Sequence, residues 1–334
     1  MSVNFIENTI QLFEALAEVA RKRRIGEASE CELFLANTTH CIQESDCMDG
    51  RIPESVLPYN AGRYVTLAGG IPNTGEANLL RIQNTIKTSA ENGRGFLILP
   101  GIHTECAAFE KNDAVATAAG LKFLQNIKLA FPGDTVQGFL RRYNVVTGAI
   151  DILRPDTLEW FGLEDFALPD GGINGNARFL RGAKALKLSD ELVHDLALLA
   201  SCYRRKRQSP GSVVQRHSER TIVCGSNIRP WRVGSDFLTY RTDLLSNAEH
   251  IANIKRAAEV VDHSLADRGN RTSPILLFQV FSHEELEYSA TIATDLEAFA
   301  HKHVTVRKVQ VIPYVLQRSG VIQQFEETTR VAVQ

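Results

Sequence analysis

Two long stretches of this 334-residue chain run through the same order of patterns, and that repetition constrains the fold more than any single motif. In the first stretch, Ile6, Ile10, Phe13, Ala17 and Ala20 step by four and three within residues 5 to 24, which predicts a one-sided amphipathic helix. It ends in Arg21-Lys22-Arg23-Arg24, a run that complements the negative end of a helix dipole and could also attract phosphate. Apolar stretches at 33–36, 63–68 and 96–100 then read as buried strands, alternating with helical patterns at 75–91 and 113–130, before a further extended stretch near 137–146.

The second stretch opens with Ser189 as N-cap of a helix carrying Leu192, Leu196, Leu199 and Tyr203 and again ends in basic residues, Arg204 to Arg207. A short strand into Cys224, an extended segment Asp236 to Tyr240, a helical pattern at 246–264 and the apolar run Ile275 to Phe281 follow. The expected architecture is therefore α/β with largely parallel sheets, in two related parts over 1–150 and 189–334. Residues 151–188, with Pro155, Pro169 and Asp170-Gly171-Gly172, form a turn-rich connection.

Composition narrows the function classes. Lys and Arg number 37 against 39 Asp and Glu, a net charge of −2 that gives no general attraction to nucleic acid or anionic membrane. No apolar run approaches the roughly 20 residues a membrane span needs. Glu7, Glu14 and Glu18 interrupt the N-terminal apolar residues, so no secretory pattern is present, and a cytoplasmic protein is expected. In a reducing compartment, cysteines 31, 41, 47, 106, 202 and 224 read as small buried residues or metal ligands rather than as a disulfide framework.

Chemistry concentrates in Cys47-Met48-Asp49-Gly50-Arg51 and, much later, His103-Thr104-Glu105-Cys106. Two thiolates and an imidazole suit zinc and leave one tetrahedral position open, as a catalytic site requires. A closed structural site would need a fourth Cys or His, which Cys41 or His40 could supply. A thiol redox pair of Cys47 and Cys106 is a further option. Read alone, Asp49 and Arg51 would make a surface ion pair of little consequence, and His103 a structural histidine.

Together, in order and at this spacing, Cys-x-Asp-x-Arg and His-x-x-Cys resemble the signature of β-class carbonic anhydrases, and Gly62-Arg63-Tyr64-Val65 with Ala68-Gly69-Gly70 extends the resemblance over roughly residues 40 to 150. It departs where that family has two glycines after the second cysteine, here Ala107 and Ala108, and where Arg-Asn is common, here Thr66-Leu67. The resemblance implies a mostly parallel β-carbonic-anhydrase-like sheet flanked by helices, duplicated as a pseudo-dimer. It further implies Zn2+ held by Cys47, His103 and Cys106, with Asp49 and Arg51 as a catalytic dyad in which a bidentate Arg keeps the Asp ionised and oriented. The implied activity is hydration of carbon dioxide to bicarbonate through a zinc-bound hydroxide. Hydrolysis of carbonyl sulfide or carbon disulfide on the same site, or a non-catalytic zinc protein with an assembly or regulatory role, are the alternatives.

The second part reads as a degenerate copy. Cys224 and His283 would take the places of Cys47 and His103, but Leu286 stands for Cys106 and Ser226 for Asp49, too few ligands for a catalytic metal. Each amphipathic helix is expected to cover the sheet of the opposite part, as in a dimer with exchanged arms. The partner expected is a small molecule, with no nucleic acid and no membrane, and with homo-oligomers of pseudo-dimers as an option.

Overall fold

A computed structural model of the protein describes residues 5–15, 17–18, 21, 38–49, 52, 64–133, 136–153, 158–163, 188–207, 219–225, 237–242, 245–282, 289–317, 319 and 321–325. The two most buried runs of the first half, β1 (His40–Cys47) and β3 (Gly95–His103), are neighbouring parallel strands. Burial along nearly their whole length means both faces are covered, as a central parallel strand demands. Strand β2 (Tyr64–Leu67) flanks β1 in parallel. On the other side β4 (Val136–Gly138) and β5 (Arg141–Tyr143) pair parallel with successive parts of β3. Two antiparallel strands, β6 (Ile150–Leu153) and β7 (Trp160–Gly162), complete a seven-stranded mixed sheet. The fold is thus α/β as expected, with parallel pairing at the centre and antiparallel pairing at one edge. Residues 151–153 and 160–162 of the expected 151–188 connection belong to the sheet through β6 and β7.

Strand alternation sends Cys41, Phe96 and Ile98 to one face, where they meet Ile82 of α2 (Glu76–Glu91) and Phe123 and Ile127 of α3 (Asp113–Ala130). Ile42, Leu97 and Leu99 point to the other face and meet Leu192, Leu196 and Leu199 of α4 (Asp190–Arg207). The leucines at four- and three-residue steps are therefore the core stripe of α4, and the helix covers the sheet built from the first half of the chain. Asp195, also on α4 and wholly buried, accepts hydrogen bonds from the backbone N–H groups of Thr39 (2.9 Å) and His40 (2.7 Å). That pins the helix to the start of β1.

The second sheet is β8 (Thr221–Gly225), β9 (Phe237–Arg241), β10 (Ile275–Ser282), β11 (Val309–Leu316) and β12 (Ile322–Gln324), in the order β12-β11-β10-β8-β9, with only the β11–β12 pair antiparallel. Its helices are α5 (Asn247–Asp267), opened by a Ser246–Glu249 capping box, and α6 (Ser289–His303). The N-terminal helix, α1, with helical residues 5–15 and 17–18, lies on this sheet: the Phe13 ring is 4.7 Å from Phe278, 5.0 Å from Tyr314 and 5.5 Å from Phe237, centroid to centroid. Helix α1 thus covers the second sheet and α4 the first. Accordingly, one compact unit comprises residues 27–47 and 52–215, and the other 1–26, 48–51 and 216–334.

The two sheets share more than element order. His40 pairs with Gly95 in the first and Thr221 with Leu276 in the second, the same separation along the chain. Continuing the β1–β3 register sets Ile102 beside Cys47, and in the second sheet Gln279 pairs with Cys224. His283, Leu286 and Ser226, like the strand expected at 33–36, lie outside the described residues.

Candidate metal centre

Cys47 ends β1 and His103 ends the adjacent β3, so parallel pairing alone brings residues distant in sequence to one edge of the sheet. That edge, beyond the carboxyl ends of the strands, is where open α/β sheets bind ligands. Cys106 returns to His103 through a tight turn in which Glu105 takes the left-handed conformation (φ 57°). The ligand atoms of Cys47, His103 and Cys106 all lie within 4.8 Å of one another, and all three residues are buried. The two Sγ atoms are 3.9 Å apart. Two Zn–S bonds of about 2.3 Å at the tetrahedral angle place their sulfurs about 3.8 Å apart, so the pair fits a shared zinc ion.

Surrounding groups set the electronic state of each donor. His103 Nδ1 lies 2.8 Å from the Thr104 carbonyl oxygen. A carbonyl only accepts, so Nδ1 carries the proton and the lone pair of the neutral ring sits on Nε2, the form a metal ligand needs. Thr104 is itself held by β5 and the loop after it: its N–H donates to Tyr143 O (3.0 Å), and its Oγ1 accepts from Val145 N (3.1 Å). Gly69 N donates to Cys47 Sγ at 3.3 Å. The hydrogen bond with the Cys106 thiol, together with burial, holds the Cys47 thiol well above the usual cysteine range, against a smaller opposing influence of His103. These surroundings favour the protonated form of the Cys47 thiol, and a metal ion bound there would have to displace that proton.

The Ala68-Gly69-Gly70 turn owes its glycines to this packing. Gly70 has φ 76°, and a Cβ there would collide with the Gly101 carbonyl oxygen and come within 2.8 Å of Cys47 N. Ser45 Oγ donates to Gly70 O at 2.8 Å and keeps the turn against β1. Ala107 and Ala108, by contrast, begin a single 3-10 turn (Ala107–Phe109) with neither residue at positive φ, so the backbone has no need of glycine there.

The chain matches no protein-family model and no curated protein.

The site is therefore read from its donor set, which is a Cys2His cluster compatible with a metal such as zinc. Among the described residues no fourth Cys or His joins it. His40 and Cys41 sit at the opposite end of β1, about 20 Å up the strand at roughly 3.3 Å per residue. There His40 bonds Asp195 (2.8 Å), and Cys41 packs with Ile82 and Phe96. Asp49 is buried two residues past Cys47, beyond the end of β1, and Arg51 lies outside the described residues.

An ion cluster that the sequence reading passed over lies immediately behind the ligands. Arg141 on β5 places Nη2 2.8 Å from Asp46 Oδ1 and Nη1 3.2 Å from Glu44 Oε1, with all three side chains almost wholly buried. In the sequence Gln43-Glu44-Ser45-Asp46 reads only as a polar run; burial of β1 on both faces is what shows that its charges need a partner. Cys47 and Cys106 belong to the core cluster that also holds Ile42, Ile52, Phe139, Val145, Leu192 and Leu196.

Proposed function

We propose that this protein is a zinc enzyme that hydrates carbon dioxide to bicarbonate, with Cys47, His103 and Cys106 as metal ligands. The observation that carries this reading is the convergence of three soft-to-borderline donors at the carboxyl ends of parallel strands, three being the number that leaves zinc a reactive position. Zinc held this way supplies Lewis acidity that brings the ionisation of water down to about pH 7. The chain's own residues do the rest. Thr104 O holds His103 in the ligating tautomer, and Gly69 N–H stabilises charge on Cys47 Sγ. Cys47 and Cys106 are buried in an apolar core, surroundings that suit a small uncharged substrate.

Asp49 and Arg51 are assigned the roles of the dyad, orienting the nucleophile through a carboxylate held by a guanidinium. Residues 189–334 are read as a degenerate copy of the first part, supported by the matching strand order and the matching register of β1–β3 and β8–β10. The copy contributes α4 to the core that holds Cys47 and Cys106.

The test is metal content together with stopped-flow carbon dioxide hydration on wild type and Cys106→Ser, with carbonyl sulfide hydrolysis measured alongside. Zinc-dependent hydration lost in the variant supports the reading. Turnover of carbonyl sulfide alone would reassign the substrate, and zinc without turnover of either gas would make the protein a non-catalytic zinc binder.

A further inference from the structure

Arg141 reaches from β5 across β3 to β1, and the path it takes is cut into the sheet. A Cβ on Gly101, the β3 residue paired with Arg141, would collide with Asp46 Oδ1 and lie 2.6 Å from Ser45 O and 3.0 Å from Arg141 Nη2. Glycine is required there so that the guanidinium can lie over the central strand. At its far end Arg141 holds Asp46, the residue directly before Cys47, and also Glu44; its Nη2 lies 3.4 Å from Ser45 O. At its near end, two residues along β5, Tyr143 pairs with His103 and its carbonyl accepts from Thr104 N, the residue whose own carbonyl fixes the His103 ring. One buried side chain thus links the strand of the first cysteine to the turn that carries the other two ligands.

Stability gives little reason for this arrangement. Burying two carboxyl groups and a guanidinium costs desolvation that their attraction roughly offsets, and apolar replacements of similar size are often as stable. What a planar fork between two carboxyl groups does supply is a fixed distance and direction. We infer that Arg141 is a positioning residue for the metal centre, holding Cys47 at its spacing from the His103–Cys106 turn through Asp46 and Glu44 and so setting the affinity and geometry of metal binding. The inference rests on the metal reading above.

The experiment uses the full chain and two probes, zinc(II) affinity by competition with a chromophoric chelator and the visible absorption of the cobalt(II) form, which reports ligand geometry. Arg141→Lys keeps a cation but loses the fork; it should weaken zinc by about 10- to 100-fold, the usual effect of a group that orients a ligand, and shift the cobalt bands. Asp46→Asn, of unchanged size, should act in the same direction and stands in if the lysine variant does not fold. Arg142→Lys is the control on the same strand, because Arg142 pairs instead with Asp151 at 2.9 Å and lies over Trp160. It should leave affinity and spectrum as in wild type. Arg141→Lys and Asp46→Asn with unchanged zinc affinity and cobalt spectrum overturn the proposal while the metal reading stands, and so does an equal loss in the Arg142→Lys control. Wild-type protein that takes up neither ion overturns both.

Discussion

Asp195 Oδ2 lies 2.8 Å from His40 Nδ1, and the same carboxylate also takes the N–H groups of Thr39 and His40 and the Thr39 hydroxyl (3.0 Å). One side chain from the second part of the chain thereby caps the start of the central strand of the first sheet, while Leu192, Leu196 and Leu199 on the same helix join the core cluster to which Cys47 and Cys106 also belong. Docking of α4 and integrity of the ligand strand are a single packing problem.

Asp195→Ala would leave two part-buried backbone donors without their acceptor, each worth about 1 to 3 kcal/mol. The expected loss is about 3 kcal/mol in urea unfolding, whereas Asp190→Ala in the first turn of the same helix, which is exposed, should change stability by less than about 0.5 kcal/mol. Equal effects from the two substitutions would show that α4 is held by its leucines alone.

Zinc should bind at about one ion per chain, since the described residues contain one cluster of three ligands. Ligand binding to the native state raises stability by mass action, so chelation should lower the thermal midpoint and added zinc restore it. Two ions per chain at full occupancy would mean that the second part carries a site of its own.

How far could the sequence have led to this picture? Helix α3 was legible to the residue from the helical pattern of 113–130, and the structure adds the Asn112 side chain as its cap. The Cys47-His103-Cys106 cluster was legible because its residues follow apolar runs that read as neighbouring strands, whose ends meet at one edge of a parallel sheet. The Arg141 cluster was not, for a physical reason: Glu44 and Asp46 lie about 95 residues from Arg141, and charged letters in a strand look like a solvent face until the register with β3 and β5 shows both faces covered. The antiparallel edge at β6 and β7 was hidden by Pro155, which reads as a turn and is silent about the short strands on either side.

Asp49→Asn keeps the shape of the side chain and removes its charge. Under the proposed function it should retain zinc and lose about 100-fold in carbon dioxide hydration, the lower end of what a positioned acid–base group contributes. Metal content by mass spectrometry on the same preparation separates this from simple loss of the ion. Unchanged turnover would make Asp49 a structural residue.

Cys224 offers a test of the second sheet that does not involve metal. Its thiol is wholly buried, and burial pushes its pKa from the ordinary 9.0 up to about 12, with the Tyr240 hydroxyl opposing the shift by hydrogen bonding; burial raises Tyr240 as well. Between those two values the unfolded chain has lost the thiol proton while the native chain keeps it. The native state therefore binds more protons, and stability must fall as pH rises through this window. Below pH 9 both states are protonated and the contribution is fully present. A gap from 9.0 to about 12 corresponds to roughly 4 kcal/mol lost by its upper end, at about 1.4 kcal/mol per pH unit. Cys224→Ala removes the titrating group and leaves a small cavity that costs about 1 kcal/mol at every pH. Urea midpoints of the two proteins, measured at half-unit steps from pH 7 to 10.5 with zinc saturating, should differ by a constant up to about pH 9. Above it they should converge and cross at about pH 9.7, with Cys224→Ala the more stable protein by about 1 kcal/mol at pH 10.5, because only wild type carries the extra slope. Parallel curves across the whole range would mean that the Cys224 thiol ionises in the folded protein as readily as in the unfolded chain, and that the core between β8 and β9 admits water.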